Sequence, residues 1–379
     1  MTRRANGEGS QPVLRSDGRY QVSVRHIDED GRSRRTYVYG KTAAAAREKA
    51  KEVRQRVEKG RPAKDAKTTV ATFTLEWISS TLAVSDRKAN TKAMYATIAR
   101  KHIVDSDLGA TALDRLTARK VEEWVAGLRR KGLSESTIRS TYTVLRAVLD
   151  TAVRDRAIAE NPAAVVKRPK VTAKEALFLS PAQVEATIEE SHGSRYQPVF
   201  ALLANTALRR GEALALRWSD VDLTNRRIQI RGTLSREDGE LVVTDTKTEK
   251  SNRVLFMTDE IAGILRGVRK RQAEDRLRAG SAWVETNFVF TTELGHPCDP
   301  RNALRAFKVA AERVGVPEAG LHTLRHSAAS VMLSKGVPLK VVSEILGHSS
   351  TAITGDVYGH VAPDVAADAM RTLSGALSG

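Results

Sequence analysis

The chain has 379 residues, 41% hydrophobic and 28% charged, a globular composition too long for one ordinary core and expected to form two or three domains. Its 62 Lys and Arg against 45 Asp and Glu leave a formal charge of +17, a field that favours polyanions, nucleic acid foremost, although a merely basic ribosome-adjacent protein would share it. No apolar run approaches the roughly 18 residues of a membrane helix, the N-terminus MTRRANGEGSQP lacks a secretory core, and the one cysteine, Cys298, excludes an internal disulfide and a cysteine metal cluster; a cytoplasmic protein is expected.

Residues 1–67 carry 18 Lys/Arg and 9 Asp/Glu, a share large enough to suggest a dedicated nucleic-acid-binding arm. Tyr20 to Arg25 alternates apolar and polar residues and predicts a strand, Asp28 to Gly31 a turn, and Arg34 to Tyr39 the returning strand. Thr42 is placed to cap an Ala- and Arg-rich helix reaching about Glu58, and Gly60-Arg61-Pro62 begins a linker. A ribbon with exposed arginines fits a major groove; a solvated basic hairpin is the plainer alternative.

From about Val70 to Ala164 the pattern is helical. Phe73, Trp77 and Ile78 share a face, Thr91 to Ile103 forms a second amphipathic stretch, and Val121, Trp124, Val125 and Leu128 mark a third helix ending near Lys131-Gly132. Ser134 caps a fourth, which carries Ile138, Tyr142, Leu145, Val148 and Leu149, and Asn161-Pro162 stops the segment after it. Residues 165–174, VVKRPKVTAK, are basic and read as a linker. Ser180-Pro181 then opens a helix as N-cap and first residue. Farther on, Arg227 to Ile230 and Glu240 to Val243 flank the turn Glu237-Asp238-Gly239, and Arg253 to Phe256 follows Lys247-Thr248, predicting a small antiparallel sheet. There is no internal repeat.

Polar residues inside apolar helices single out four patches in the last half of the chain. In TALRRGEALALRW, Thr206 to Trp218, Arg209 and Glu212 lie three apart and share a face among Leu208, Leu214 and Leu216. In LHTLRHSAASVML, His322 and Arg325 repeat that spacing. In EILGHSS, Gly347 ends a helix and His348 follows it; in TGDVYGHV, Tyr358 stands between Gly355 and Gly359. Singly, each has a structural explanation: an ion pair, a C-cap glycine, a packed surface aromatic. Jointly they suit a phosphodiester. Two guanidinium forks can clamp non-bridging oxygens, a tyrosine can attack phosphorus, a lysine can protonate the departing oxygen, and histidines can orient phosphate and manage the tyrosine proton. No acidic cluster of the two-metal type is visible.

The order and wording of these patches resemble the tyrosine recombinase (phage integrase) family, over essentially the whole chain. The resemblance implies a mostly α fold with small β elements (α+β). Its catalytic residues would be Tyr358 as nucleophile, Arg209, Lys247, His322, Arg325 and His348, with Glu212 supporting. Lys250 is the alternative to Lys247, because both lie on the hairpin after the first arginine. Arg210 is expected to contact DNA or solvent, and His326 and His360 to be structural or supporting. Ala207 stands where the family usually has glycine, a methyl expected to be tolerated in helical backbone.

By the same resemblance, residues 1–67 form an arm-type DNA-binding domain and linker, 68–165 a helical core-binding domain, 166–174 a linker, and 175–379 the catalytic domain with a tail helix. The implied activity is site-specific recombination through a 3′-phosphotyrosyl intermediate, without metal, ATP or other cofactor. Implied partners are double-stranded DNA at core and arm-type attachment sites, a homotetramer on that DNA, and an excision factor or DNA-bending protein, with no membrane. A stripe of Val365, Ala366, Ala369, Met370, Leu373 and Leu377 predicts a tail helix that docks on a neighbouring protomer or packs on its own domain. A type IB topoisomerase-like relaxing enzyme and a DNA-binding regulator without catalysis are the alternatives; the basic arm disfavours the first and the complete residue set the second.

Overall fold

The computed structural model describes residues 10–27, 32–58, 68–172, 176–237, 239–245, 252–358, 371 and 374, with side chains described for all of these except Arg56, Asp245, Asp356, Val357 and Tyr358. Lys247, Lys250, His360, the turn at 28–31, the linker residues 59–67 and the tail stripe therefore lie outside the described residues. The chain divides into two compact units, Met1–Ala173 and Lys174–Gly379.

In the first unit, β1 (Val13–Leu14), β2 (Tyr20–Ile27) and β3 (Ser33–Gly40) form an antiparallel sheet in that order, with Val22 opposite Val38 and Val24 opposite Thr36. One face is closed by α1 (Ala43–Glu58), whose Ala46, Ala50 and Val53 pack on Val22 and Val24. Thr42 Oγ1 accepts from the Ala45 amide (3.1 Å), the cap its position predicts. The other face is left with Arg25, Arg35 and Tyr37, all exposed, because strand residues alternate between faces. Tyr39 lies under the guanidinium groups of Arg15 and Arg19.

A second core in this unit is helical. α2 (Val70–Trp77) runs on through a π-helical stretch to Leu82, and α3 (Ala89–Ala99) does the same to Val104, while α4 (Ala118–Arg130) and α5 (Glu135–Arg154) complete it. Trp77, Ile103, Trp124, Ile138, Leu145 and Leu149 fill the interior. The aromatic polar atoms find partners inside: Trp124 Nε1 donates to the His102 carbonyl, and Tyr142 Oη donates to the carbonyls of Ala163 and Val166. Val166 is thereby buried against the bundle, although Val165 beside it is exposed.

The second unit opens with α6 (Pro181–Glu190), where Ser180 and Gln183 form the reciprocal cap that Ser-Pro-Ala-Gln allows. It continues through α7 (Gln197–Thr206), α8 (Arg210–Ala215), β4 (Val221–Asp222), β5 (Arg227–Ile230), β6 (Gly232–Glu237), β7 (Glu240–Asp245) and β8 (Arg253–Phe256). The helices α9 (Asp259–Ala279), α10 (Pro300–Arg313), α11 (Leu321–Ser334), α12 (Leu339–Leu346) and α13 (Thr351–Tyr358) follow. The strand pairing differs from the expected one. The turn at Glu237 joins β7 to β6, not to β5, and β5 pairs instead with β4 and β8. The sequence Gly232-Thr-Leu-Ser-Arg-Glu hides β6 because Leu234 is its one strongly apolar residue. The core packs Phe200, Leu202, Leu203 and Leu214 against Ile228, Ile230, Leu255 and Phe307.

Candidate active site

The site is built around the C-terminus of α12. A helix leaves its last four carbonyls without intrahelical partners, and here Gly347, left-handed at φ 64°, turns the chain so that the amides of Gly347 and His348 bond back to Glu344 and Ser343. The next three carbonyls each receive an arginine. Arg253 Nε donates to Ile345 O (2.8 Å), Arg325 Nη2 to Leu346 O (2.8 Å) and Arg209 Nη2 to Gly347 O (3.2 Å). The negative end of the helix dipole favours that gathering of cations.

Arg325 is only 1% exposed. Its Nη1 donates to Ala207 O (2.7 Å) and its Nη2 also reaches His348 Nε2 (3.0 Å). Ala207 ends α7 in the left-handed conformation (φ 54°, ψ 21°), which corrects the expectation of helical backbone there. That turn presents the Ala207 carbonyl to the guanidinium, and glycine in the family's usual pattern suits the same turn.

Arg209 sits just before α8 rather than within a helix. Glu212, one turn on, is almost wholly buried and closes back on it: the Arg209 amide donates to Glu212 Oε2 (3.0 Å) and Arg209 Nη1 to Oε1 (2.7 Å). Arg253 Nη2 donates to Glu212 Oε2 as well (2.9 Å). Burial pushes the Glu212 carboxyl up, but the Arg253 hydrogen bond and charge, with the amide and charge of Arg209, outweigh it and hold the group below its ordinary value. Between them, Gly211 has no room for a side chain: a Cβ would collide with Thr233 and the Leu234 carbonyl, so its absence lets α8 rest on β6.

A guanidinium only donates, so His348 Nε2 must accept from Arg325 and the proton sits on Nδ1, facing Thr354 Oγ1 (2.9 Å). Burial, then the charges of Arg325 and Arg209, push His348 down to about 4. His322, on the first turn of α11, packs edge-on against His326, with ring centroids 4.5 Å apart. Although part of its surface is open to solvent, crowding by protein and the positive neighbours His326, Arg325, Arg209 and Arg210 bring it down to about 4 as well. His326 is lowered by burial and Arg325, and its other side meets Phe178 edge-on. Arg210 is half-buried on α8 and adds to the field at His322. Tyr358 is the last residue of α13, one helical turn beyond Thr354, so a helix stands where a short polar segment was expected.

Arg209, Glu212, His322, Arg325 and His348 are thus brought together, with the Tyr358 backbone on the adjoining helix; Lys247 and Lys250 lie outside the described residues. Sequence reasoning passed over Arg253. No local signal marks it: Arg253 lies on the same side of β8 as buried Leu255, while Val254 and Phe256, equally apolar in sequence, are exposed. Among the described residues no group of three or more His, Cys, Asp or Glu is placed to hold a metal ion.

Arginines fixed by carbonyls and one carboxylate, beside neutral histidines, define a site suited to a phosphodiester rather than to a small neutral substrate. Residues 178–364 match the model of the phage integrase family. A tyrosine recombinase XerC-like protein of Caldanaerobacter subterraneus subsp. tengcongensis is 30% identical over 94% of this chain and 95% of its own. An integrase of Streptomyces ambofaciens is 30% identical over 84% of this chain and 83% of its own. Among solved structures, the Tn1549 transposon integrase in complex with a circular intermediate DNA superposes with a TM-score of 0.68, at 23% identity over 80% of this chain and 99% of that one. A lambda integrase tetramer bound to a Holliday junction gives 0.58, at 15% identity over 94% of this chain and 96% of that one. The chain belongs to the phage integrase family of tyrosine recombinases.

Proposed function

We propose that this enzyme cuts and rejoins DNA at specific sites to integrate or excise a mobile element, with Tyr358 as its nucleophile. The observation that carries the reading is the cluster at the α12 C-terminus, where Arg209 and Arg325 are held by Glu212, Ala207, Leu346 and Gly347 beside two neutral histidines. In the cleavage step the Tyr358 oxygen bonds to phosphorus and the bond from phosphorus to the 5′-oxygen breaks, leaving a 3′-phosphotyrosyl link and a free 5′-hydroxyl. Arg209 and Arg325 neutralise the charge that grows on the non-bridging oxygens. His348 has both ring nitrogens engaged, so His322 receives the phenol proton, and Lys247 delivers a proton to the leaving oxygen. A 5′-hydroxyl from the partner strand reverses the step, so bond energy is conserved and neither ATP nor metal is consumed.

The N-terminal residues 1–67 are proposed to bind arm-type sites through the open sheet face bearing Arg25, Arg35 and Tyr37, residues 68–165 to bind the core site, and 175–379 to perform the chemistry, with 166–174 as linker. The DNA complexes and the tetramer named for the transposon and lambda integrases support action as a tetramer on two duplexes. No helix among the described residues is long and apolar enough to cross a membrane, and the bacterial relatives favour work on DNA in the cytoplasm, with an excision factor or DNA-bending protein assisting. A groove of about 1200 Å³, lined by Val254, Phe256, Val331 and Val341 among others, offers the tail stripe of Val365 to Leu377 a surface on a neighbouring protomer. A suicide duplex tests the nucleophile: Tyr358→Phe is expected to bind DNA as before and form no covalent adduct, and an adduct trapped by that variant would remove Tyr358 from the role.

A further inference from the structure

We propose that Thr354 is a positioning residue for strand cleavage: by accepting the Nδ1 proton of His348 it fixes the tautomer whose Nε2 can receive Arg325, and so holds that guanidinium in its plane. The inference rests on the reading that Arg325 clamps the scissile phosphate.

Thr354 lies on α13, which packs on α11 and α12, and it is wholly buried. A buried hydroxyl needs a partner, and its Oγ1 lies 2.9 Å from His348 Nδ1. His348 follows the glycine that ends α12, and its amide donates to Ser343 O (3.1 Å). Its Nε2 lies 3.0 Å from Arg325 Nη2, on α11. One imidazole therefore joins three helices. Turning the ring over would put carbon where each nitrogen now stands, so both contacts fix the same orientation.

A neutral imidazole has one proton for two nitrogens, and the partner of each nitrogen decides which carries it. Arg325 offers only protons, so the ring must present a bare Nε2 to it. Thr354 makes that arrangement complete, because its oxygen receives the proton left on Nδ1. With an apolar side chain at 354, the same tautomer would bury an unpartnered Nδ1–H. The other tautomer would set two donors 3.0 Å apart at Arg325. Either way Nη2 loses its imidazole and keeps Leu346 O, while Nη1 keeps Ala207 O. The guanidinium then has carbonyls along its edge and nothing fixed beside it. Aim matters here, since a misplacement of about 1 Å at a reacting centre can cost on the order of 100-fold in rate. Thr354 touches neither phosphate nor Arg325 in this chain of contacts; it acts through His348.

The experiment uses the full chain and a suicide duplex carrying the joined ends of the DNA element that encodes it. Thr354→Val, which keeps the shape and removes the acceptor, is expected to bind the duplex as before and cleave it roughly 30-fold more slowly. Thr354→Ser keeps the acceptor and should cleave within about threefold of the unaltered enzyme. His348→Ala should be slow by itself, and adding Thr354→Val to it should cost nothing further, because the hydroxyl has no ring left to act through. Nitrogen-15 spectra of histidine-labelled protein, with the His348 signals identified by their loss in His348→Ala, read the tautomer directly. The proton should sit on Nδ1 in the unaltered protein and in Thr354→Ser, and that pattern should be lost in Thr354→Val. A role in packing alone would not move it. If Arg325→Ala cleaves at full rate, the clamp reading fails and the inference with it. If Arg325→Ala is slow, three results each overturn the inference alone: Thr354→Val cleaving at full rate or retaining the Nδ1 proton, Thr354→Val slowing cleavage equally with and without His348, or Thr354→Ser being as slow as Thr354→Val. Should Thr354→Val fail to fold, Thr354→Ala gives the same comparison.

Discussion

The two units of this chain use arginine in opposite ways. On the sheet of the first unit, Arg25 and Arg35 are directly opposite one another across β2 and β3 and both are exposed. In the second unit, Arg325 and Arg253 are nearly sealed from solvent and each is held by acceptors of fixed position. An exposed cation contributes a field, which salt screens over about 10 Å at moderate ionic strength. A buried one held by fixed acceptors contributes a geometry, which salt hardly touches. Attraction to DNA and chemistry on it are therefore separable by mutation and by ionic strength.

The sharpest break in that comparison comes from Arg325→Ala. It removes a proposed phosphate clamp and strands the Ala207 and Leu346 carbonyls and His348 Nε2 without their donor. Strand cleavage should fall by about 10²- to 10³-fold, as for loss of one transition-state donor, and stability by on the order of 3 kcal/mol for the charged hydrogen bonds forfeited. Arg325→Lys should recover little of either, since one ammonium cannot meet three divergent acceptors. Cleavage assays and denaturant titration read the two losses, and DNA affinity close to that of the unaltered enzyme would show that this arginine serves geometry. Cleavage near the original rate would remove it from the chemistry.

Acid gives a second, smaller break, largest in the second unit's cluster, where two histidines fall to about 4. His322 and His348 are lowered from 6.5 to about 4, and Glu212 is held below 4.5. Each folded value lies below its unfolded one, so between the two the unfolded chain binds the extra protons and stability declines as pH falls. The decline should begin below about pH 6.5, where the histidines of the unfolded chain start to charge, and steepen below 4.5 as Glu212 joins. Melting temperature against pH checks the sign; a melting point that rises on acidification from 6.5 to 4 would contradict the assigned neutral histidines. Replacing His322 and His348 together by Gln should flatten the upper part of the curve and leave the lower, Glu212 part.

The first unit should answer to salt instead. Arg25→Ala combined with Arg35→Ala is expected to leave cleavage of pre-bound DNA unchanged and to weaken binding of an arm-type duplex. For every arginine that no longer meets a phosphate, the slope of log affinity against log salt should shrink by about 0.9. Fluorescence anisotropy over a salt series measures it. An unchanged slope would make the sheet face a solvated surface and shift arm binding elsewhere.

What the sequence made legible follows the same division. Helix punctuation was readable because it acts within a few residues: Ser180 with Pro181 starts a helix, Gly347 stops one, and the His322–Arg325 spacing puts both on the first turns of α11. Long-range devices were not. Nothing local ties Arg253 to Ile345, 92 residues away, or Arg325 to Ala207, 118 residues away. β6 escaped because its inward Leu234 stands among Thr233, Ser235 and Arg236, a pattern too polar for alternation to register. The nucleophile and the lysine were marked only by family resemblance; no property of Tyr358 or Lys247 taken alone distinguishes them from surface residues.

Ala207 offers the finest test, because there the local rule and the tertiary structure pull against each other. A left-handed non-glycine residue costs roughly 1–2 kcal/mol, which favours Ala207→Gly. Against that, the methyl is buried with Ala329, Leu333, Val342 and Leu346, and a buried methyl-sized group contributes about 0.8 kcal/mol. Glycine's greater unfolded freedom costs a further 0.5–1 kcal/mol, approximately. The opposing quantities nearly cancel, so the substitution should change stability by no more than about 0.5 kcal/mol and leave cleavage intact, since the carbonyl that Arg325 uses is backbone in either case. Denaturant titration of the two proteins decides it. A gain well above 1 kcal/mol would mean that the methyl contributes little packing and the strain is unrelieved. A clear loss of cleavage with unchanged stability would mean that the methyl, and not only the turn, sets where the Ala207 carbonyl meets Arg325.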